Sequence, residues 1–186
     1  VDAPGQPWTV PSRSDCLQCH GQAAGGTLGP ETSQMNHAHL YASTGLAANQ
    51  VATFDHIGLF DISPGDPGAL DQLPAIDGTE PLEERARAYL HANCAQCHRP
   101  GGNGRGDLDL RWDSEDMIAC DVDPEFGDLG LPGAKIIAPG DPSASVLSHR
   151  IRSRDAYGMP PLGSHAVDDV GAQLVDDWIA SLSDCP

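Results

Sequence analysis

Near the C-terminus, apolar residues recur every three or four positions. Val167, Val170, Leu174, Trp178 and Leu182 fall on one stripe, with Asp168, Asp169, Asp176 and Asp177 opposite. That period predicts an amphipathic helix. Residues 81–98, PLEERARAYLHANCAQCH, predict a second one. Pro81 suits a first helical turn, Thr79 a cap, and Glu80, Glu83 and Glu84 the positive end of the helix dipole. In residues 47–60, Val51, Phe54, Ile57 and Leu59 predict a third helix. Residues 113–120 read as a short helix. Residues 141–153 read as a turn or two behind the caps Asp141 and Ser143. Residues 21–46 show no such period and read as loop. Residues 61–80, rich in Asp, Pro and Gly, read as a linker. The expected fold class is all-α, with two small, loop-rich helical domains, 1–78 and 79–186.

Composition changes that picture in one respect. Among 186 residues there are 21 Gly and 16 Pro, and only 5% are aromatic. Such a chain builds a thin core, and a large apolar cofactor would supply missing volume. The net charge of −17 argues against nucleic acid and anionic membrane surfaces as partners and favours a partner with a basic face. No apolar run reaches the length of a transmembrane helix. The opening VDAPGQPW carries no signal-peptide pattern and reads as a processed start or a cut from a longer protein.

The chemistry lies in the cysteines. Four of the six stand in two C-x-x-C-H motifs, Cys16, Cys19, His20 and Cys94, Cys97, His98. This is the attachment pattern of c-type haem. Each thiol adds to a porphyrin vinyl group, and the histidine behind reaches the iron. An all-cysteine zinc site would leave both adjacent histidines unexplained. A thioredoxin-type pair expects a βαβ context that is lacking. Two covalently attached haem c groups are therefore expected, one in each domain, with His20 and His98 as proximal ligands. Attachment of this kind belongs to an oxidising compartment, periplasmic or extracellular, where Cys120 and Cys185 read as a disulfide.

Each iron has a sixth position. In the second domain the candidate is Met159, between a helix and a Pro-Pro turn that stiffens the backbone. In the first, His56 is favoured because a helix fixes its direction. Met35, His37 and His39 are the alternatives, and an open iron is another.

The second half, YLHANCAQCHRPGG through PGDPSASVLSHRIRSRDAYGMPPLG to VDDWIASL, resembles a class I cytochrome c domain. The whole chain resembles the C-terminal part of a bacterial family of di-haem cytochromes, through WTVPSRSDCLQCH, GGTLGPETSQMN and NQVATFDHIGLFD. Members of that family are often encoded with, or fused to, pyrroloquinoline-quinone-dependent sugar dehydrogenases or other secreted modules. The resemblance implies His98 and Met159 as axial ligands and a redox partner of that kind.

Electron transfer is the expected function. Methionine ligation raises a haem's potential, so electrons would run from a bis-histidine first haem to a His/Met second haem. Arg150, Arg152 and Arg154 are candidates for pairing with haem propionates or for a docking rim. Asp121, Asp123, Glu125 and Asp128 form an acidic loop, with calcium a lesser reading because EF-hand spacing is missing. The alternative function is a di-haem peroxidase or a haem sensor with an open first iron. In the peroxidase, Glu31 or a histidine of residues 36–40 would act as acid or base.

Overall fold

The computed structural model describes residues 10–185. Among them are six α-helices: α1 (Arg13–Cys19), α2 (Thr32–Met35), α3 (Gln50–His56), α4 (Leu82–Cys94), α5 (Val146–Arg152) and α6 (Asp169–Ser181). Two strands, β1 (Ala38–Tyr41) and β2 (Leu46–Asn49), pair antiparallel, with Leu40 opposite Ala47 and Tyr41 opposite Leu46. The all-α expectation is thereby corrected. Helix accounts for only about a third of the chain, and a hairpin takes up the end of the expected loop and the first three residues of the expected third helix. The hairpin escaped notice because both strands lie largely exposed and so lack an apolar–polar alternation.

Two compact units divide the chain. One is Gly29–Ala75, and the other joins the segment before it to Ile76 and everything beyond. The unit edge at Ala75 lies close to the expected boundary near residue 78. The first C-x-x-C-H motif, however, stands in the same unit as the second.

In the larger unit α4 and α5 both pack on α6. Leu90, Ile137, Val175, Trp178 and Ile179 are fully buried there, and Ala86, Leu110 and Ala172 complete the centre. Each large side chain contributes about 1.5–3 kcal/mol. The buried face of α6 runs through Gly171, Ala172, Leu174, Val175, Trp178 and Ile179, while Val170 is 65% exposed. The stripe is thus rotated by about one residue from the expected one. Gly171 allows the close crossing, because a Cβ there would overlap the Tyr89 ring of α4. Burial, with the Asp168 carboxylate beside it, pushes the Tyr89 hydroxyl well above its usual range.

Pro81 itself caps α4, in extended conformation and without a side-chain bond, so Thr79 is not the cap. Residues 113–120 form no helix. Asp116 accepts from the Ile118 N–H at 2.8 Å, and Ile118 turns left-handed at φ 50°. That local bonding competes with a helix. Asp141 caps a 3₁₀ turn, Pro142–Ala144, ahead of α5, as its position suggested. Cys120 and Cys185 form a disulfide with Cα atoms 5.6 Å apart.

The smaller unit is organised by Asn36, which is only 3% exposed. Its amide nitrogen donates to the carbonyls of Pro67, Leu70 and Asp71, and its oxygen accepts from Asn49 at 2.8 Å. These bonds fold most of the expected linker back onto α2 and α3. Leu73 is buried, and its N–H donates to the Ser33 carbonyl at 3.0 Å. Val51 is the buried residue of α3, whereas Ile57 and Leu59, expected on its apolar face, are exposed.

Candidate haem site

Helix α1 presents the first thiol pair. A capping box starts it: Ser12 Oγ accepts from the Asp15 N–H at 3.3 Å, and Asp15 accepts from the Ser12 N–H at 3.0 Å. The helix ends at Cys19, and His20 follows as its C-cap. His20 Nδ1 lies 2.7 Å from the Gly26 carbonyl. The chain returns to that point through a 3₁₀ turn closed by Gly25 and Gly26 at φ 77° and 78°, a region that favours glycine. With Nδ1–H donated to a carbonyl, the lone pair stays on Nε2. Metal-binding histidines are usually oriented in this way.

The second thiol pair leaves the end of α4. The N–H groups of Cys97 and His98 both return to the Cys94 carbonyl, at 3.1 and 2.9 Å. Burial pushes the Cys94 thiol up to about 12, and burial followed by the neighbouring Cys19 thiol pushes Cys97 up to about 11. His98 is half-buried. Burial first, then the charge of Arg150, holds its ring below the usual value and favours the neutral form that a metal needs. Its Nδ1 is buried without a partner. Gly104 lies flat against the ring, and a Cβ there would sit 2.6 Å from Nδ1. A neutral, orphaned imidazole behind two thiols suits a c-type haem.

The two motifs touch. Cys97 Sγ lies 3.7 Å from Cys19 Sγ and 3.6 Å from the Gln18 carbonyl. Asn103, in the loop after the second motif, donates to the carbonyls of Leu17 and Gln18 at 3.0 and 2.9 Å. Among the described residues no group of three or more His, Cys, Asp and Glu stands ready to hold a metal ion, so the four thiols are not gathered as a zinc site.

Met159 is half-buried in a loop after α5. Its N–H donates to the Arg150 carbonyl at 2.9 Å. Arg150 thus links the two expected ligands, since its charge also acts on His98. His56 is exposed at the C-terminal end of α3, in the smaller unit. Met35 ends α2 there. His37 Nδ1 lies 2.7 Å from Gln72 Nε2, and His39 meets Tyr41 edge-on. Glu31 caps α2 in a reciprocal box with Gln34.

The arginines are already engaged. Arg152 donates from Nη2 and Nε to a single oxygen, Oδ2, of Asp176, at 2.6 and 3.2 Å. Arg150 donates to the carbonyls of Tyr157 and Phe126, and Arg154 to several carbonyls around Met159. The expected docking rim is therefore largely internal bracing. In the acidic loop, Lys135 Nζ sits 3.1 Å from Asp121 and 3.0 Å from Asp123, where a cation would bind. Sequence reading missed Asn103, Gly26, Gly104 and Asn36. Only the density of Gly and Asn near each motif hinted at them.

A thiol pair presented by a helix end, with a histidine directly behind it, is the arrangement that covalent haem attachment requires. A family model described as planctomycete cytochrome C matches residues 94–163, from the second motif past Met159. This supports a cytochrome c-type, electron-carrying haem domain over that part of the chain. No curated protein matches the chain, and no solved structure does. Among the described residues no helix is long and apolar enough to cross a membrane.

Proposed function

We propose that the chain is a di-haem c-type cytochrome that passes electrons from a haem on Cys16 and Cys19 to one on Cys94 and Cys97. The observation that carries this reading is the 3.7 Å contact between Cys19 and Cys97, one thiol from each motif. Haem supplies the one-electron chemistry. The protein's part is to hold two such groups side by side and to set their potentials. Asn103 holds the motifs together through its two bonds to α1. His98 and Met159 are the proposed axial ligands of the second haem, and His20 and His56 those of the first. A bis-histidine first haem has the lower potential, so electrons run towards the second.

The partner in this reading is a secreted or periplasmic oxidoreductase with a basic face, such as a quinone-dependent sugar dehydrogenase. The net charge of −17 favours such a surface, and the disulfide suits a periplasmic or extracellular location. The test is a haem count with absorption spectra of the reduced protein with and without carbon monoxide. Two haems and no spectral change with carbon monoxide are expected. One haem overturns the relay. Carbon monoxide binding at the first haem overturns His56 ligation and turns the reading towards a peroxidase or sensor.

A further inference from the structure

We propose that Arg154 is the positioning residue for the Met159 thioether. The inference rests on Met159 being the distal ligand of the second haem.

The Arg154 guanidinium donates to carbonyls on both flanks of the Met159 loop and to Met159 itself. Nη1 donates to Ile151 at 3.0 Å, to Ser153, and to Met159 at 3.4 Å. Nε and Nη2 both donate to Ala166, at 3.1 and 2.8 Å. One planar fork thus ties residues 151, 159 and 166. The loop is also closed locally. Asp155 accepts from the Ser153 hydroxyl at 2.6 Å and from the Tyr157 N–H at 2.8 Å. Gly158 lies so close to Ser153 that a Cβ would stand 2.5 Å from its carbonyl oxygen. Those contacts shape residues 153–158. Arg154 adds the tie from Met159 across to Ala166.

A thioether is a weak ligand for iron and holds its place only if its loop does. Lysine offers a single nitrogen at the end of a flexible stem and does not reproduce a fork that spans two loop flanks. Arg154→Lys therefore keeps the charge and loses the geometry.

The experiment measures carbon monoxide binding to the reduced, haem-loaded protein, together with the ring-current-shifted proton resonances of a ligating methionine. The parent, Arg154→Lys, Arg154→Gln and Met159→Ala are compared, with unfolding midpoints recorded for each. Met159→Ala is expected to open the second iron fully. Arg154→Lys is expected to raise carbon monoxide affinity on the order of tenfold, and Arg154→Gln at least as much, which is the worth of a charged hydrogen bond. The methionine resonances should broaden. An arginine with only a structural role would lower the midpoint and leave carbon monoxide binding unchanged, and that result overturns the proposal. If Met159→Ala leaves the iron closed, the ligand assignment itself falls. Should neither arginine variant retain haem, hydrogen exchange on the parent decides. A common exchange rate across residues 151–166 supports the clamp, and faster opening of residues 155–159 alone overturns it.

Discussion

The two C-x-x-C-H motifs share five positions of sequence pattern and differ in most of what holds them. The first sits on α1, a seven-residue helix with no buried residue, and its histidine is exposed. The second leaves the thirteen-residue α4, which contributes Ala86 and Leu90 to the core. His20 is aimed by one hydrogen bond, from Nδ1 to the Gly26 carbonyl. His98 has no partner on Nδ1 and is aimed by packing against Gly104. One motif is oriented by a bond and the other by steric fit, so different substitutions should damage each.

The largest test of that difference is removal of the thiols. Cys16→Ala with Cys19→Ala should leave one covalent haem, and Cys94→Ala with Cys97→Ala should leave the other. Intact-mass measurement reads both counts. The first pair should leave unfolding of the α4–α6 core nearly unchanged, because α1 buries nothing in it. The second pair should destabilise that core, since half-buried Cys94 packs against it. Equal destabilisation by the two pairs would break the comparison.

Next comes the disulfide. Cys120 and Cys185 are 65 residues apart and close a loop that contains α5 and α6. Replacing both by alanine should cost about 2–4 kcal/mol in denaturant unfolding. The second haem's ligand field should be disturbed before the first, because the closed loop contains Met159 and the Met159 side of the second site.

Much of the second half could be read directly from the sequence, and the reason lies in α4 and α6. Both are long, and both bury a face, so periodicity marks them. The disulfide followed from counting, once four cysteines were committed to the motifs. The smaller unit was legible only in α3, for the opposite reason. Its order comes from Asn36, a single polar residue whose four partners lie between 13 and 35 positions away. No local pattern announces such a hub, and residues 61–75 therefore read as linker. At the site, motif and Met159 were visible as residue types. Their supports were not, because carbonyls from Gly26 and the space over Gly104 are backbone properties.

Two glycine substitutions sharpen the contrast further. Gly104→Ala drives a methyl group into the His98 ring and the Cys97 carbonyl, 2.6 and 2.8 Å away. Overpacking of this kind costs about 1–3 kcal/mol, and the second haem's spectrum should change with it. Gly26→Ala meets no atom within 4 Å, and its penalty is the left-handed backbone at φ 78°. That strain is worth about 1 kcal/mol and should loosen only the first histidine. Visible spectra of the two variants at equal haem content separate the outcomes. A shift of the second haem by Gly26→Ala would show that the two histidines are not aimed independently.

The smallest expected effect is one of pH, and it touches the second site alone. Bonds from the Ser153 hydroxyl and then the Tyr157 N–H hold the Asp155 carboxyl below its ordinary value of 3.8. A carboxyl lowered on folding stabilises the fold fully above the ordinary value, and that contribution is lost as pH falls through the lower folded value. The Met159 loop should therefore stay closed down to about pH 4 and loosen only below it. Because Asp155 is exposed to water, the loss should be gradual and partial rather than a collapse. Titration of the methionine resonances in the parent and in Asp155→Asn measures it. Asp155→Asn should weaken the loop at neutral pH and flatten the acid dependence. An acid transition that survives unchanged in Asp155→Asn would assign it to another group and remove Asp155 from the support of the second ligand.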